Sequence, residues 1–291
     1  MTQFLLLSLG GLRIGAVYAL SALGLIIIHK ATKTVNFAHG AFIMLGSYGA
    51  YVGFSVLHLP YWLIYLVVPF VVGLSGSCAE YVLFRRIRTA DAFTVVITTV
   101  FVSILVTELV RIVFESDVYA MPAFVSGAPF RVGVLIVTPE TMWIVGGALL
   151  FGFGAAYVFA RAALGRAMRA MAANARGAQL CGYSVDGIYT QAWFLGTATA
   201  GLAGVFVAPR LGVSPDIAVA TIVPAFVAAI IGGFDSLIGA ILGGLLLGLI
   251  ETYTAAYVSG SLKNAVSFCL VLLILYLKPE GLFAPKGLRR V

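Results

Sequence analysis

The 291-residue chain is 62% hydrophobic and only 10% charged, and its mean hydropathy is +1.08. A soluble domain carries about 25% charged residues, so this composition excludes an ordinary soluble protein. The net charge of +7 would suggest nucleic acid in a soluble chain, but here the basic residues lie at the ends of apolar runs. They are interpreted as determinants of membrane topology, and no nucleic-acid partner is predicted.

A helix that crosses a membrane needs roughly 20 mainly apolar residues. Runs near this length occur at 4–28, 39–57, 61–84, 91–114, 140–160, 188–208 and 262–278. A further apolar stretch, 218–257, is interrupted at Gly232–Ser236, which predicts two segments, and 218–231 either spans fully or only partly. We therefore predict an all-α integral membrane protein, a polytopic helix bundle of eight or nine transmembrane segments in a single domain, 1–291.

The positions of the Lys and Arg residues predict the orientation of this bundle. If the C-terminal tail is cytoplasmic and the segments alternate, 13 of the 18 basic residues fall on the inner side. These are Lys30, Lys33, Arg85, Arg86, Arg88, Arg161, Arg166, Arg169, Arg176, Lys278, Lys286, Arg289 and Arg290. Nine crossings place the N-terminus outside, which we favour, and eight place it inside.

Two polar stretches separate the apolar runs. Residues 115–139 are rich in Pro, Gly and β-forming residues, which predicts an irregular outer loop or a small hairpin. Residues 161–187 are rich in Ala and Arg and predict a short helix at the cytoplasmic surface. This helix either rests on anionic membrane lipid or docks into a groove on a cytoplasmic partner.

The sequence contains no motif of an enzyme or of a cofactor site. A GxxxxGK[ST] phosphate loop, HExxH, CxxC and a nucleophile elbow are missing, and the three histidines are not spaced as ligands. We therefore predict no catalytic residue, no metal and no cofactor. Cys78, Cys181 and Cys269 lie far apart in the chain and are interpreted as small apolar packing residues.

Polar residues inside apolar segments are candidates for a translocation path. Asn36 and His39 stand at the start of the 39–57 segment, where they are either a helix cap and an interfacial histidine or the border of a path. Ser47, on the same segment, is a third candidate. Glu251 is either solvated at the membrane interface, which is the simpler interpretation, or part of an outer gate.

Glycines at helical spacing follow the interruption at Gly232–Ser236. They form two pairs with members four residues apart, Gly239 with Gly243 and Gly244 with Gly248. Small residues in this pattern predict a face for close helix–helix packing. Asp235 and Ser236 are placed to cap the start of the same helix.

Several blocks in order resemble the branched-chain amino-acid permease family of ABC importers, in particular its LivH-type subunit. The blocks are GAVYALSALGLIII followed by NFAHGAFIMLGSY, GRAMRAMAANARGAQLCGYSVDGI, PAFVAAIIGGFDSLIGAILGGLLLGLIE and LKPEGLFAPKG. The resemblance implies a subunit of the bacterial inner membrane that imports a small molecule by alternating access. It implies as partners a second, LivM-like permease subunit, two cytoplasmic ATPase subunits and a periplasmic substrate-binding protein.

The resemblance also implies that 161–187 is the coupling region. Its expected contacts with the ATPases are Gly165, Arg166, Arg169, Asn174, Ala178 and Gly182. Two positions depart from the family pattern: Ala41 replaces a commonly acidic residue, and Tyr183 replaces the usual Ile. The first departure leaves urea, short amides or other amino acids as alternatives to the expected cargo of Leu, Ile and Val.

Two other classes of protein were compared with this interpretation. A self-sufficient channel or secondary carrier has no need of the basic segment 161–187. A membrane enzyme needs a cluster of catalytic groups at one depth, and the sequence offers none.

Overall fold

The computed structural model describes residues 2–115, 117–125, 127–132 and 135–283, and these ranges contain eleven α-helices and one pair of strands. The helices are α1 (Thr2–Thr32), α2 (His39–Tyr51), α3 (Tyr61–Ala79), α4 (Ala92–Phe114), α5 (Pro139–Arg161), α6 (Ala163–Ala173), α7 (Ala175–Leu180), α8 (Val185–Leu211), α9 (Ile217–Gly232), α10 (Leu237–Tyr257) and α11 (Lys263–Leu277). The strands are β1 (Phe130–Val132) and β2 (Leu135–Val137). Of the basic residues assigned to the inner side, Lys286, Arg289 and Arg290 lie outside the described residues.

Every apolar run of the sequence is helical, which confirms the predicted class of fold. Within the described residues, seven helical segments are long and apolar enough to cross a membrane, namely α1, α3 with its continuation to Phe84, α4, α5, α8, α10, and α11 with the helical turn Gly260–Leu262 before it. The predicted eight or nine segments also counted α2 and α9. The 16 residues of α9 span about 24 Å, less than the roughly 30 Å of a bilayer core. The predicted count is therefore approximate, because two of its segments are short.

One end of the bundle, which we call the basic end, carries the ends of α1 and α3 and the start of α8. Lys33, just after α1, lies 3.8 Å from Asp235, just before α10. Arg88, after α3, donates to Asp186 in the first turn of α8 at 2.6 Å. Thr32 in the last turn of α1 and Arg88 line the same small cavity, so the start of α10 and the polar segment 161–187 lie at the same end as the last turn of α1.

The other end, which we call the loop end, carries the long loop between α4 and α5. Tyr119 of this loop pairs with Val213 after α8 through two backbone hydrogen bonds of 2.9 and 2.8 Å. In the same loop, β1 and β2 form an antiparallel hairpin. Successive apolar helices therefore alternate in direction within the described residues, and Thr2 lies at the loop end, as nine segments require.

The short helices α2 and α9 begin inside the bundle instead of at its surface. The His39 ring bonds to the backbone oxygen of Ser21 at 2.9 Å, and Ser21 lies 11 residues, about 16 Å, before the end of α1. Gly40 lies directly against Ala218, near the start of α9, where a side-chain carbon on the glycine would overlap the Ala218 oxygen. Two helix N-termini thus meet at mid-depth in the bundle.

Helices α1, α8 and α10 form the buried centre, while α4 and α11 are peripheral. In an apolar 18-residue stretch of α1, 78% of the residues are buried, whereas in the corresponding stretch of α4 only 17% are buried. Lipid is as apolar as these side chains, so close backbone approach has to hold the central helices together. Glycines provide this approach where α2 crosses α8, since Gly46 and Gly204 leave no room for a side chain.

The glycines of α10 face two different helices instead of one. Gly239 and Gly243 lie against Gly232 and the Ala228 oxygen of α9. Gly244 and Gly248 lie against α1, at Ala19 and at Gly11 and Gly15 respectively. Ser236 caps α10 by accepting from the Gly239 amide at 2.9 Å.

Segment 161–187 forms two helices, whereas the sequence predicted one. The chain turns to an extended conformation at Asn174 (φ −158°), between α6 and α7. The Asn174 side-chain oxygen accepts from the Gly177 amide at 2.9 Å and so caps α7. This local hydrogen bond overrides the helix propensity of the surrounding alanines.

Candidate translocation site and coupling surface

The polar residues of α2 are buried among helices. Asn36, His39 and Ser47 are 2%, 0% and 0% exposed. The Ser47 hydroxyl donates to the Met44 oxygen at 2.7 Å. Asn36 accepts from the Ala38 amide at 3.0 Å, so it closes the turn before α2, and the N-cap position itself is Ala38. The prediction that Asn36 caps the helix is therefore wrong, because its side chain bonds within the turn that precedes α2 and not to an amide of the helix.

Two nitrogens in this group have no hydrogen-bond partner among the described residues. They are Nδ2 of Asn36 and Nδ1 of His39, and both are buried. His39 donates from Nε2 to the Ser21 oxygen, so in the neutral ring Nδ1 is an acceptor. The start of α2 thus holds one unpaired donor and one unpaired acceptor, which is unusual in a protein interior.

Glu251 lies in α10 near the loop end and is 2% exposed. Its carboxylate accepts from Lys263 at 2.7 Å, from Tyr18 at 3.0 Å and from Ser267 at 3.0 Å. The simpler interpretation, a solvated interfacial glutamate, is therefore wrong. The lysine at the start of α11 supplies the charge partner that lets the carboxylate be buried.

The candidate residues form two groups, and both contact α1. His39 contacts α1 at Ser21, and Glu251 contacts it at Tyr18, one turn away. No hydrogen bond within the described chain joins the two groups directly. A movement of α1 would therefore change the surroundings of both.

A cavity at the loop end adjoins Glu251, and sequence reasoning did not identify it. Its rim includes Arg13, Arg210 and Lys263. All three belong to the five Lys and Arg residues that the predicted orientation leaves for the outer side or the membrane edge. A basic residue inside or at the end of an apolar run was the available signal. Their convergence was not visible, because they lie on three helices far apart in the sequence.

The predicted coupling residues include three that fasten α6 to the end of α5. Arg166 donates to the Arg161 oxygen at 2.6 Å, and Arg169 donates to the Ala160 oxygen at 3.1 Å. Gly165 lies so close to the Phe159 oxygen that any side chain would overlap it. These residues therefore hold the segment in place in this chain.

The other predicted coupling residues shape the second half of the segment. Ala178 is buried, and Gly182 adopts a positive φ of +84°, a conformation that favours glycine. Asn174 separates the two helices. Two large apolar side chains point outward here among exposed polar residues, because Leu180 is 86% exposed and Tyr183 is 40% exposed.

A charged network joins the end of α3 to the start of α8, and it was also missed. Glu80 is 1% exposed and forms ion pairs with Arg88 and, at 3.8 Å, with Arg85. Its second oxygen accepts from Thr190 at 2.7 Å, and Asp186 accepts from Arg88. Glu80 is a lone acidic residue inside an apolar run, and that was the signal in the sequence.

The comparisons with known proteins agree with this architecture. A family model described as "Branched-chain amino acid transport system / permease component" matches residues 7–275. The chain belongs to this family. The resemblance, the class of fold and the multi-pass membrane location predicted from the sequence are confirmed.

Individual relatives of the permease match along nearly the whole chain. It is 30% identical over 295 residues to the high-affinity branched-chain amino acid transport system permease protein BraD of Pseudomonas aeruginosa, covering 97% of this chain and 96% of the relative. It is 30% identical over 304 residues to LivH of Escherichia coli strain K12, covering 99% and 98%. A probable LivH of Methanocaldococcus jannaschii is 26% identical over 283 residues, covering 90% and 87%. No solved structure matches the chain at a significant level.

Proposed function

We propose that the chain is the membrane-spanning subunit of an importer for branched-chain amino acids, driven by partner ATPases. The relatives are permease proteins of branched-chain amino acid transport systems, and a permease component works within a larger assembly. The partners in this proposal are a second, LivM-like permease subunit, two cytoplasmic ATPase subunits and a periplasmic substrate-binding protein. The chain itself contributes no catalytic group.

The observation that supports a driven permease over a channel is the surface at the basic end. The end of α7 and the turn that follows it present Leu180 and Tyr183 outward. An exposed apolar side chain on a short helix suits a groove on another subunit. A helix that lies on lipid headgroups instead presents a broad apolar face over several turns, whereas α7 has only six residues.

The same segment is connected to the membrane helices on both sides. Gly165 and Arg169 fasten its start to α5, and Asp186 at its end binds Arg88 beyond α3. Closure of the ATPases would move α5 and α8 together and so change which end of the bundle is open.

In this proposal the path passes the start of α2. Asn36 and His39 hold the unpaired donor and acceptor, and α9 begins beside them. Ser47 lies further along α2 toward the loop end. Transporters commonly bind their cargo where interrupted helices begin inside the membrane. The names of the relatives favour Leu, Ile and Val as cargo over urea, short amides or other amino acids.

The experiment reconstitutes the complete transporter in ATP-containing proteoliposomes and measures L-leucine uptake together with ATP hydrolysis. We expect ATP-dependent uptake that Leu180→Asp lowers at least about tenfold, because a charge at the centre of an apolar contact disrupts it. Stimulation of ATP hydrolysis by leucine-loaded binding protein should fall with it.

Val258→Asp is the matched control, since Val258 is 68% exposed at the loop end. It should leave both activities unchanged. Normal coupled uptake by Leu180→Asp would show that α7 is not the docking surface. Absence of ATP-dependent leucine uptake by the unaltered transporter would refute the proposed function.

A further inference from the structure

The cavity at the loop end combines an apolar wall with a cationic rim. Val17 of α1, Ile144 of α5 and Phe206 of α8 line its inner part, and Arg13 and Arg210 line its rim. A neighbouring cavity shares Arg210 and reaches Glu251. The two openings therefore meet at one place.

The charges around this rim do not balance. Lys263 is neutralised by Glu251 at 2.7 Å, and Arg13 lies 3.9 Å from Glu140. Arg210 forms no ion pair within the described part of the chain. Five charged groups thus leave one positive charge in excess, and Nε of Arg13 is buried without a hydrogen-bond partner.

An excess cation at the mouth of an apolar cavity is a site for a small anion. Guanidinium groups bind carboxylates through two parallel hydrogen bonds. Val17, Ile144 and Phe206 form an apolar wall beside the polar side chains of Tyr18 and Thr221, and this apolar part suits a branched aliphatic group. Glu251 lines the neighbouring cavity and is the acidic residue among the residues that line the two cavities.

We infer that this cavity is a subsite for the cargo on the loop side, where Arg210 binds the carboxylate and the apolar wall holds the aliphatic side chain. The inference rests on the proposed function, because it takes a branched-chain amino acid as the cargo. It adds a recognition step within the permease, in which the carboxylate is the required group.

The labelling test uses the membrane-bound assembly in proteoliposomes, that is, both permease subunits with the two ATPases. The periplasmic binding protein is left out. Cys78, Cys181 and Cys269 are replaced by Ala, and Ala220, which lines the cavity, is replaced by Cys. The rate of labelling by a charged thiol reagent is measured with L-leucine, 4-methylpentanoate or 3-methylbutylamine. The last two compounds keep the aliphatic group and lack the ammonium or the carboxylate respectively.

L-Leucine and 4-methylpentanoate should slow the labelling, and 3-methylbutylamine should not. Arg210→Gln should raise the half-protecting concentration of L-leucine at least about tenfold, since it removes the charged hydrogen-bond donor. Arg210→Lys should raise it less. Arg111→Gln, which changes an exposed arginine of α4 paired with Glu108, should leave it unchanged.

Equal protection by 3-methylbutylamine, or protection that survives Arg210→Gln, would overturn the subsite. The latter result would mean that Arg210 does not bind the carboxylate. ATP-driven leucine uptake by the complete transporter separates the two failures. Uptake without protection refutes the subsite alone, protection without any uptake refutes the proposed function alone, and loss of both refutes both.

Discussion

The glycine contacts of α10 and the start of α2 are both buried, but they are built in opposite ways. Along α10, Gly243 and Gly244 bring backbone against backbone, and no space or unpaired side-chain group remains. At the start of α2, Asn36 and His39 each keep a buried nitrogen without a partner. The first region is built for permanent contact, while the second retains groups that a solute or a changed conformation can satisfy.

The largest expected effect tests the permanent contact. Gly244→Leu would place a side chain on the backbone of Ala19, and we expect it to lower the free energy of unfolding by about 3 kcal/mol. Gly154→Leu on α5 is the matched control, because nothing lies within 4 Å of that position. Thermal unfolding of the purified permease in detergent measures both. Equal melting temperatures would show that α10 does not depend on its glycines.

A smaller effect is expected at the buried ion pair beside this helix. Glu251→Gln leaves one oxygen to accept from either Tyr18 or Ser267, which donate to different carboxylate oxygens, and leaves Lys263 without its charge partner. Because the lysine is one-third exposed, we expect a loss of about 2 kcal/mol, less than for a fully buried pair.

The control for that pair is Glu108→Gln, which removes an exposed ion pair with Arg111. Exposed pairs contribute less than about 1 kcal/mol, so its unfolding curve should match that of the unaltered chain. If Glu251→Gln and Glu108→Gln lower the free energy of unfolding by the same amount, the pair of Glu251 with Lys263 behaves as an exposed ion pair.

The smallest effect on stability is expected at the start of α2. His39→Leu removes a buried group with an unpaired nitrogen, and the Ser21 oxygen keeps its bond within α1, so stability should change by less than about 1 kcal/mol. Leucine uptake in proteoliposomes should nevertheless be lost. If His39→Leu destabilises the protein, or if it is stable and takes up leucine normally, then the start of α2 serves packing in the same way as the glycine contacts of α10.

The sequence predicted the helices well, because a span of apolar residues is a local property. It also identified both glycine pairs of α10 from their spacing, although not that they face α1 and α9 separately. The break at Asn174 escaped prediction, since one side-chain hydrogen bond outweighed the helix propensity around it. The arginine rim escaped as well, because Arg13 and Arg210 meet only through the packing of α1 against α8.

Gly165 gives α5 a mechanical property. Because α6 is fitted against the last turn of α5 without room for a side chain, α6 cannot slide there, and a force on it acts as a torque on α5. Helix α5 has 23 residues and is about 34 Å long. Its far end carries Glu140, 3.9 Å from Arg13, and Ile144, in the wall of the cavity. A tilt of a few degrees at the basic end is therefore a displacement of ångströms beside the arginines, so α5 is a lever arm between the two ends of the protein.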